Sequence, residues 1–379
     1  VQIETFSWRP GVGWSTPALG AIDSERTLVV AFGDPDLGDD PAPIRELAAA
    51  FPRSTVIGCS TAGQILGSEV SDGGLAVAAA RFERTTITHA TARIAGAEGS
   101  RAAGRELATE LAGPDLRTVF VLSEGLQVNG SELVRGLASV LPESVVVTGG
   151  LAGDADRFAR TWVLVDGEPV TGHACAVGLS GPAVRVGHGS RGGWDHFGIE
   201  RRITRSAGNV LYELDGRPAL ALYKSYLGEL ASGLPATGLL FPLALRGEDG
   251  GQVVRTILAV DEATQSMTFA GDMPEGVPAQ LMMGTVDRLV AGAAEAAAGA
   301  GDEPGDGPTL AIAVSCVGRR LLMDERIEEE TVATLEMLPR GAAQVGFYSY
   351  GELSPGATGF CDLHNQTMTI TTIREDGAE

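Results

Sequence analysis

The feature that most narrows what this chain can become is a pattern that occurs three times. In each copy an apolar strand is followed by a polar loop, an amphipathic helix, and a second strand that runs into glycine-rich sequence. The first copy has Leu28-Val29-Val30-Ala31-Phe32, a loop with Pro35, Pro41 and Pro43, a helix over Ile44 to Phe51, then Thr55-Val56-Ile57 ending in Gly58-Cys59-Ser60-Thr61-Ala62-Gly63. The second has Val119 to Leu122, a loop with Asn129-Gly130, a helix over Ser131 to Leu141, then Val145-Val146-Val147 ending in Thr148-Gly149-Gly150-Leu151-Ala152-Gly153-Asp154. The third has Leu310 to Val314, a loop over Ser315 to Arg320, a helix over Glu328 to Leu338, then Gln344-Val345 ending in Gly346-Phe347-Tyr348-Ser349-Tyr350-Gly351-Glu352. Short continuous apolar strands joined by helices imply crossovers into sheets covered on both faces. The expected fold is therefore α/β: two domains, mixed sheets flanked by helices, repeated strand-helix-strand units and antiparallel additions.

Between the units the sequence alternates with period two. Leu75 to Arg81 and Thr85 to Ile94 read as paired strands. Thr161 to Val165, the turn Asp166-Gly167 and Val170 to Leu179 read as a hairpin, extended by Val184 to His188. Later come Val210 to Leu214, the turn Asp215-Gly216, a helix over Pro218 to Leu227, and strands at Leu239 to Leu245, Val253 to Val260 and Met267 to Ala270. Gly301 to Pro308 reads as an exposed flexible loop. The expected division is an N-terminal extension over 1–26, one domain over 27–195 and a second over 196–379.

Composition excludes several classes. With 28 Lys+Arg against 49 Asp+Glu the net charge is −21 over 379 residues, which opposes phosphate-backbone binding and anionic membrane surfaces. No run approaches the roughly 18 apolar residues of a membrane span, and the start lacks the basic and apolar regions of a secretory signal. Cys59, Cys175, Cys316 and Cys361 lie far apart, without CxxC or zinc spacing, and read as reduced thiols. The reading is a cytoplasmic protein with no nucleic-acid, membrane or metal partner.

Ligands of open α/β sheets bind beyond the carboxyl ends of strands, where glycine lets backbone N–H groups come close. Cys59, Ser60 and Thr61, with Gly149, Gly150 and Asp154, are therefore candidate contacts for a carboxylate or similar anion; a tight turn of buried small residues is the alternative. The loop is no Walker A motif, since Ala62-Gly63-Gln64 stands where Gly-Lys-Ser/Thr is required. Tyr348, Tyr350 and Glu352 share one face of an extended run. His364, Asn365 and Gln366 follow in a dense polar stretch, Cys361 to Thr367, suited to an ammonium or amide group.

Between Arg185 and Arg205 five arginines face two acids, a local reversal that suggests an anion-facing surface or a set of salt bridges. Trp194 there reads as the anchor of an interdomain crossing. No Gly-x-Ser-x-Gly elbow and no dinucleotide fingerprint follows a strand. Cys59 or Cys316 with His364 as base is the remaining catalytic reading, so an enzyme is disfavoured. The histidines (His89, His173, His188, His196, His364) leave haem ligation as an alternative to an absence of cofactor.

Val56 to Ile65, Gly149 to Asp154 and the segment ending Leu179-Ser180-Gly181 resemble the N-terminal FIST domain. Asn209 to Gly228, Tyr348 to Glu352 and Leu363 to Thr367 resemble its C-terminal counterpart. The resemblance implies an intracellular sensory and signal-transduction module, proposed in the family to bind small ligands such as amino acids, with some members described as haem-binding nitric oxide sensors. It implies no catalytic residue. No kinase, cyclase, methyl-accepting or F-box segment is recognised, so output is expected through a separate protein partner or through oligomerisation. The expected mechanism is closure of two domains on a small polar metabolite held between the Ser60/Thr61 turn and a wall of Tyr350, Glu352, His364 and Asn365.

Overall fold

A computed structural model describes residues 1–247, 251–301, 307–356 and 359–376. The expected loop Gly301 to Pro308 lies mostly outside them. The fold is mixed α/β, with helices covering the outer faces of its sheets and a separate β lobe, as the sequence leads one to expect.

The three units are real, and they are larger than the pattern that announces them. In the first sheet, strand Thr55–Ser60 runs parallel to Thr27–Gly33, which pairs antiparallel with Leu75–Arg81, which in turn pairs with Gln2–Arg9. In the second, Val146–Leu151, Leu116–Ser123, His173–Ser180 and Thr86–Arg93 follow in the same order and sense. In the third, Ala343–Ser349, Leu310–Cys316, Met368–Glu375 and Val184–Arg191 repeat it again. Each unit is thus an edge strand, a central strand, a crossover helix, a parallel strand and a returning strand.

A hairpin leaves each unit after its second parallel strand and completes a neighbour's sheet. Gln64–Leu66 and Glu69–Ser71 join the third sheet; Val163–Val165 and Glu168–Val170 join the first; Gly351–Pro355 and Cys361–His364 join the second. The exchange is cyclic. At its centre three main-chain hydrogen bonds close a ring between corresponding residues: Ala62 N–H to the Tyr348 carbonyl (2.8 Å), Gly153 N–H to Ser60 (3.0 Å) and Tyr350 N–H to Leu151 (3.2 Å). The inner faces of all three sheets meet in one core containing Val30, Phe32, Phe120, Leu122, Val314 and Phe347; the Phe32 and Phe347 rings stack with centroids 4.6 Å apart. Helix Ala42–Ala50 covers the outer face of the first sheet, helices Ser100–Leu111 and Gly130–Ala138 the second, and Val286–Ala300 with Glu328–Met337 the third.

Four expectations need correction. Leu75–Arg81 and Thr86–Arg93 are not partners; each pairs with a strand of its own unit, in different sheets. The segment after Asp166-Gly167 is not one hairpin but three strands in three sheets: Glu168–Val170, His173–Ser180 and Val184–Arg191. The turn itself is right, since Asp166 and Gly167 both take positive φ (51° and 79°), as a two-residue hairpin turn requires. Ser315 to Arg320 is not a loop, because strand Leu310–Cys316 passes directly into helix Val317–Met323. Residues 1–26 are no mere extension, since Gln2–Arg9 is the edge strand of the first sheet.

The third unit carries a large insertion between its edge and central strands. Asp195–Ala207, Val210–Leu214, Leu243–Arg246, Gln252–Arg255, Ile257–Asp261, Ser266–Phe269 and Pro278–Met283 build a fourth, antiparallel sheet, closed by helix Ala219–Leu227 over Ile203, Leu211, Leu220, Tyr223 and Phe269. The chain enters this lobe at Asp195, immediately after Trp194. No helix among the described residues is long and apolar enough to cross a membrane.

Candidate functional site

The glycine-rich strand ends converge as expected, but their side chains are spent on holding the convergence. Ser60 and Thr61 are fully buried. Ser60 Oγ accepts from Trp162 N–H (3.0 Å); Thr61 Oγ1 donates to the Gly33 carbonyl (3.1 Å) and accepts from Gln64 Nε2 (2.6 Å). Asp154 accepts from the N–H groups of Ala159 and Arg160 (2.8 Å each) and from the Tyr350 hydroxyl. Gly149 and Gly150 are strand residues, and a Cβ at Gly149 would lie 1.9 Å from the Val121 carbonyl oxygen. Tyr348 bonds Glu330 Oε1 (2.7 Å) inside the network Glu330 makes with Arg319 and Ser315. Burial pushes the thiols of Cys59 and Cys316 up, the reverse of what a thiolate nucleophile needs.

Glu352 is also fully buried. Its carboxylate accepts from Ser349 Oγ (2.6 Å) and from Thr367 through N–H (3.1 Å) and Oγ1 (2.9 Å), and burial raises its pKa to about 7.

The polar run from Leu363 to Gln366 forms the joint between the three-sheet body and the fourth-sheet lobe. Arg255 Nη1 donates to the Leu363 carbonyl (2.7 Å), Thr256 N–H to Asn365 Oδ1 (3.3 Å), and Gln366 Nε2 to the Leu239 carbonyl (2.8 Å). Trp194 Nε1 donates to the Gln366 carbonyl (2.7 Å), so the tryptophan does anchor the crossing. Asp272 of the lobe completes the joint, accepting from Asn129 Nδ2 (3.0 Å) and Arg135 Nη1 (2.6 Å). The interface combines these hydrogen bonds and charges with one buried apolar cluster, in which Trp194, Ala244, Val254 and Met282 pack against Leu289 and Met323 of the body.

Beside the joint lies a cavity of about 940 Å³, walled by both parts of the molecule. The body contributes Ser131, Val134 and Arg135 of helix Gly130–Ala138, His188 to Arg191, Cys361, Asp362, His364 and Thr367. The lobe contributes Gln252 to Val254 and Met282, and Trp194 stands between them. Of the expected site residues, only His364 lines it. Asp362 belongs to the polar stretch, Arg191 to the arginine cluster and His188 to the possible haem ligands that the sequence offers, but none of them is among the ligand contacts expected from it. Their grouping is visible only in space: among the described residues Asp362 forms no salt bridge, although its charge acts on Arg255 and His364, and Arg191 contacts only the Ser190 carbonyl (2.8 Å). Burial lowers the pKa of His188 and of His364, keeping both imidazoles neutral near pH 7. Of the other arginines of that stretch, Arg185 pairs with Asp376, Arg201 with Asp215 (3.0 Å) and Arg205 with Glu213 (2.9 Å), while the guanidinium of Arg202 donates to the Gly276 carbonyl (2.5 Å).

A smaller cavity of about 490 Å³ lies at the strand ends themselves, beside Ala62, with Asp34, Asp36, Asp72, Asp156, Arg157 and Arg320 around it. Arg157 pairs with Asp36, and Arg320 with Asp72 (2.7 Å). The Ser60/Thr61 turn and His364 therefore do not line one pocket.

Comparison with known proteins gives a family. Residues 27–217 match the FIST N domain and 219–355 the FIST C domain. An uncharacterized protein of Methanocaldococcus jannaschii is 26% identical over 307 residues, covering 74% of this chain and 57% of that protein; the chain thus matches little more than half the length of this relative. Among solved structures, a cyanuric acid hydrolase from A. caulinodans aligns over 99% of both chains at 9% identity and a TM-score of 0.37, too low to bear on function. With both of its domains matched over most of the length, the chain belongs to the FIST family of signal-transduction sensory domains.

Proposed function

We propose that this is a cytoplasmic sensor whose ligand, an amino acid or related polar metabolite, binds in the cavity between the three-sheet body and the fourth-sheet lobe, and whose response is a shift of the lobe read by a separate signalling protein. One observation carries the reading: a cavity of about 940 Å³ lies across the interdomain joint and presents charges of both signs that form no salt bridge among the described residues, Arg191 of one sign and Asp362 and Glu295 of the other. A ligand touching both walls favours one arrangement by its differential affinity for the two. Because a ligand of the native state raises stability, a melting-temperature screen against amino acids and related metabolites tests the reading. A hit should be lost in Asp362→Asn or Arg191→Ala and kept in Thr61→Val. Should no compound shift the transition, the proposal fails.

A second reading, haem-based gas sensing, is favoured by His188 and His364 both lining this cavity in the neutral state that ligates iron. Protein from haem-fed cells should then show a Soret band that His188→Ala or His364→Ala alters; colourless protein removes this reading.

A further inference from the structure

The cavity has a property that free amino acids do not use. Three sheets of the molecule end on it. Val184–Arg191 is the last strand of the third sheet, Cys361–His364 of the second and Gln252–Arg255 of the fourth, and each contributes consecutive lining residues. A terminal strand presents main-chain N–H and C=O groups with no strand beyond it, and such edges recruit extended chains. Three converging on one cleft is a juxtaposition that side-chain recognition of a small metabolite does not require.

The volume points the same way. At about 940 Å³ the cavity stands at the upper end of the ~300–1,000 Å³ range of pockets that enclose drug-sized ligands. A free amino acid, far smaller than those ligands, would leave most of it to water. Its lining mixes apolar side chains, Val134, Trp194, Val254 and Met282, with polar ones, His188, Ser190 and Asp362.

Resting on the reading that this cavity is the ligand site, we propose that its ligand is a short extended peptide, added as a strand along His188–Arg191. That edge is preferred to Cys361–His364, where both groups of Leu363 are occupied, the N–H by Asp362 Oδ1 (2.7 Å) and the carbonyl by Arg255; along His188–Arg191 the Ser190 carbonyl is held by the guanidinium of Arg191 (2.8 Å), which a ligand carboxylate would draw away. Arg191 and Asp362 match the two charged termini of a peptide, the guanidinium taking the carboxylate and the carboxylate the ammonium. At ~3.3 Å per residue an extended tetrapeptide is about 13 Å long.

The test uses wild-type protein and three probes: the tetrapeptide Leu-Ala-Leu-Ala, free leucine, and the same tetrapeptide N-methylated at alternate peptide nitrogens. The unmodified tetrapeptide should raise Tm by about 2 °C at ten times its Kd and slow amide exchange in 184–191. Leucine should do neither, and N-methylation should weaken binding about tenfold or more by removing main-chain donors. Two results overturn the proposal and leave the site standing: free leucine or other amino acids binding through Arg191 and Asp362 while the peptide does not, or the N-methylated peptide binding as well as its parent. Failure of peptides and of every free metabolite alike overturns the proposal together with the assignment of this cavity as the ligand site.

Discussion

Glu352 shows what a buried carboxylate does to a molecule's pH response. Its neighbours are Cys316, Arg319 and, across the strand pair, His364, and no cation is bonded to it among the described residues. Burial raises its pKa from 4.5 to about 7, so between those values the folded state holds a proton that the unfolded state has released. Stability from this group is therefore complete below about pH 4.5 and lost as pH rises through about 7. The difference amounts to about 3 kcal/mol at about 1.4 kcal/mol per pKa unit. Glu352→Gln should flatten the fall of the urea midpoint between pH 5 and 8, leaving the variant the more stable protein at pH 8; an unchanged slope would refute this. At this scale the sequence misleads in an instructive way. Ser60, Thr61, Asp154 and Glu352 look like ligand groups because they are polar, and they prove to be polar because each satisfies a specific main-chain or hydroxyl partner in a crowded centre. Which polar residues are spent and which, like Asp362, are left over depends on partners distant in the chain, and no local pattern records that.

Elements were far more legible. The helices expected near 44–51, 131–141 and 328–338 are found at 42–50, 130–138 and 328–337; apolar periodicity marks the first two, whereas the third buries Glu330, Thr331 and Thr334. Helix Ser100–Leu111 was missed, although Leu107 and Leu111 lie buried on its inner face. It packs on Gly130–Ala138 through glycine: a Cβ on Gly104 would stand 2.1 Å from the Leu133 carbonyl oxygen, and one on Gly136 2.3 Å from that of Arg101. Backbone lies on both sides of this contact, and it cannot yield as a side chain would. Gly104→Ala should therefore destabilise by about 3 kcal/mol, measured as a fall in the denaturant midpoint at constant m-value. Gly299 in helix Val286–Ala300 meets nothing nearer than 3.8 Å, and Gly299→Ala should gain up to about 1 kcal/mol from helix propensity.

For the whole molecule, pairing between distant segments is what the sequence could not show. The repeated pattern revealed three units but not that each lends its hairpin to a neighbour, since the hairpins 64–71, 163–170 and 351–364 differ in length and composition. The insertion of the lobe into the third unit was equally hidden, because its strands alternate like any others. The architecture makes a thermodynamic distinction between the two parts. The body shares one core among three interlocked sheets, whereas the lobe is held to it by the joint of Arg255, Asp272, Asn365 and Gln366 and by a small apolar cluster of Trp194, Ala244, Val254 and Met282 against Leu289 and Met323. Native-state amide exchange should therefore find residues 195–283 opening at lower free energy than the strands of the body. Gln366→Ala should widen that gap by about 1 kcal/mol without changing exchange in strand 116–123. Equal opening energies for lobe and body would contradict this account.

The circulating hairpins have a corollary for any fragment of the chain. A single unit cut free, such as residues 1–82, would carry an arm with no slot of its own and a slot with no arm to fill it. Copies of such a piece would satisfy one another only by closing head to tail, and the smallest ring that preserves the native geometry has three members. What the intact chain does by covalent connection, the severed unit would have to do by trimerisation.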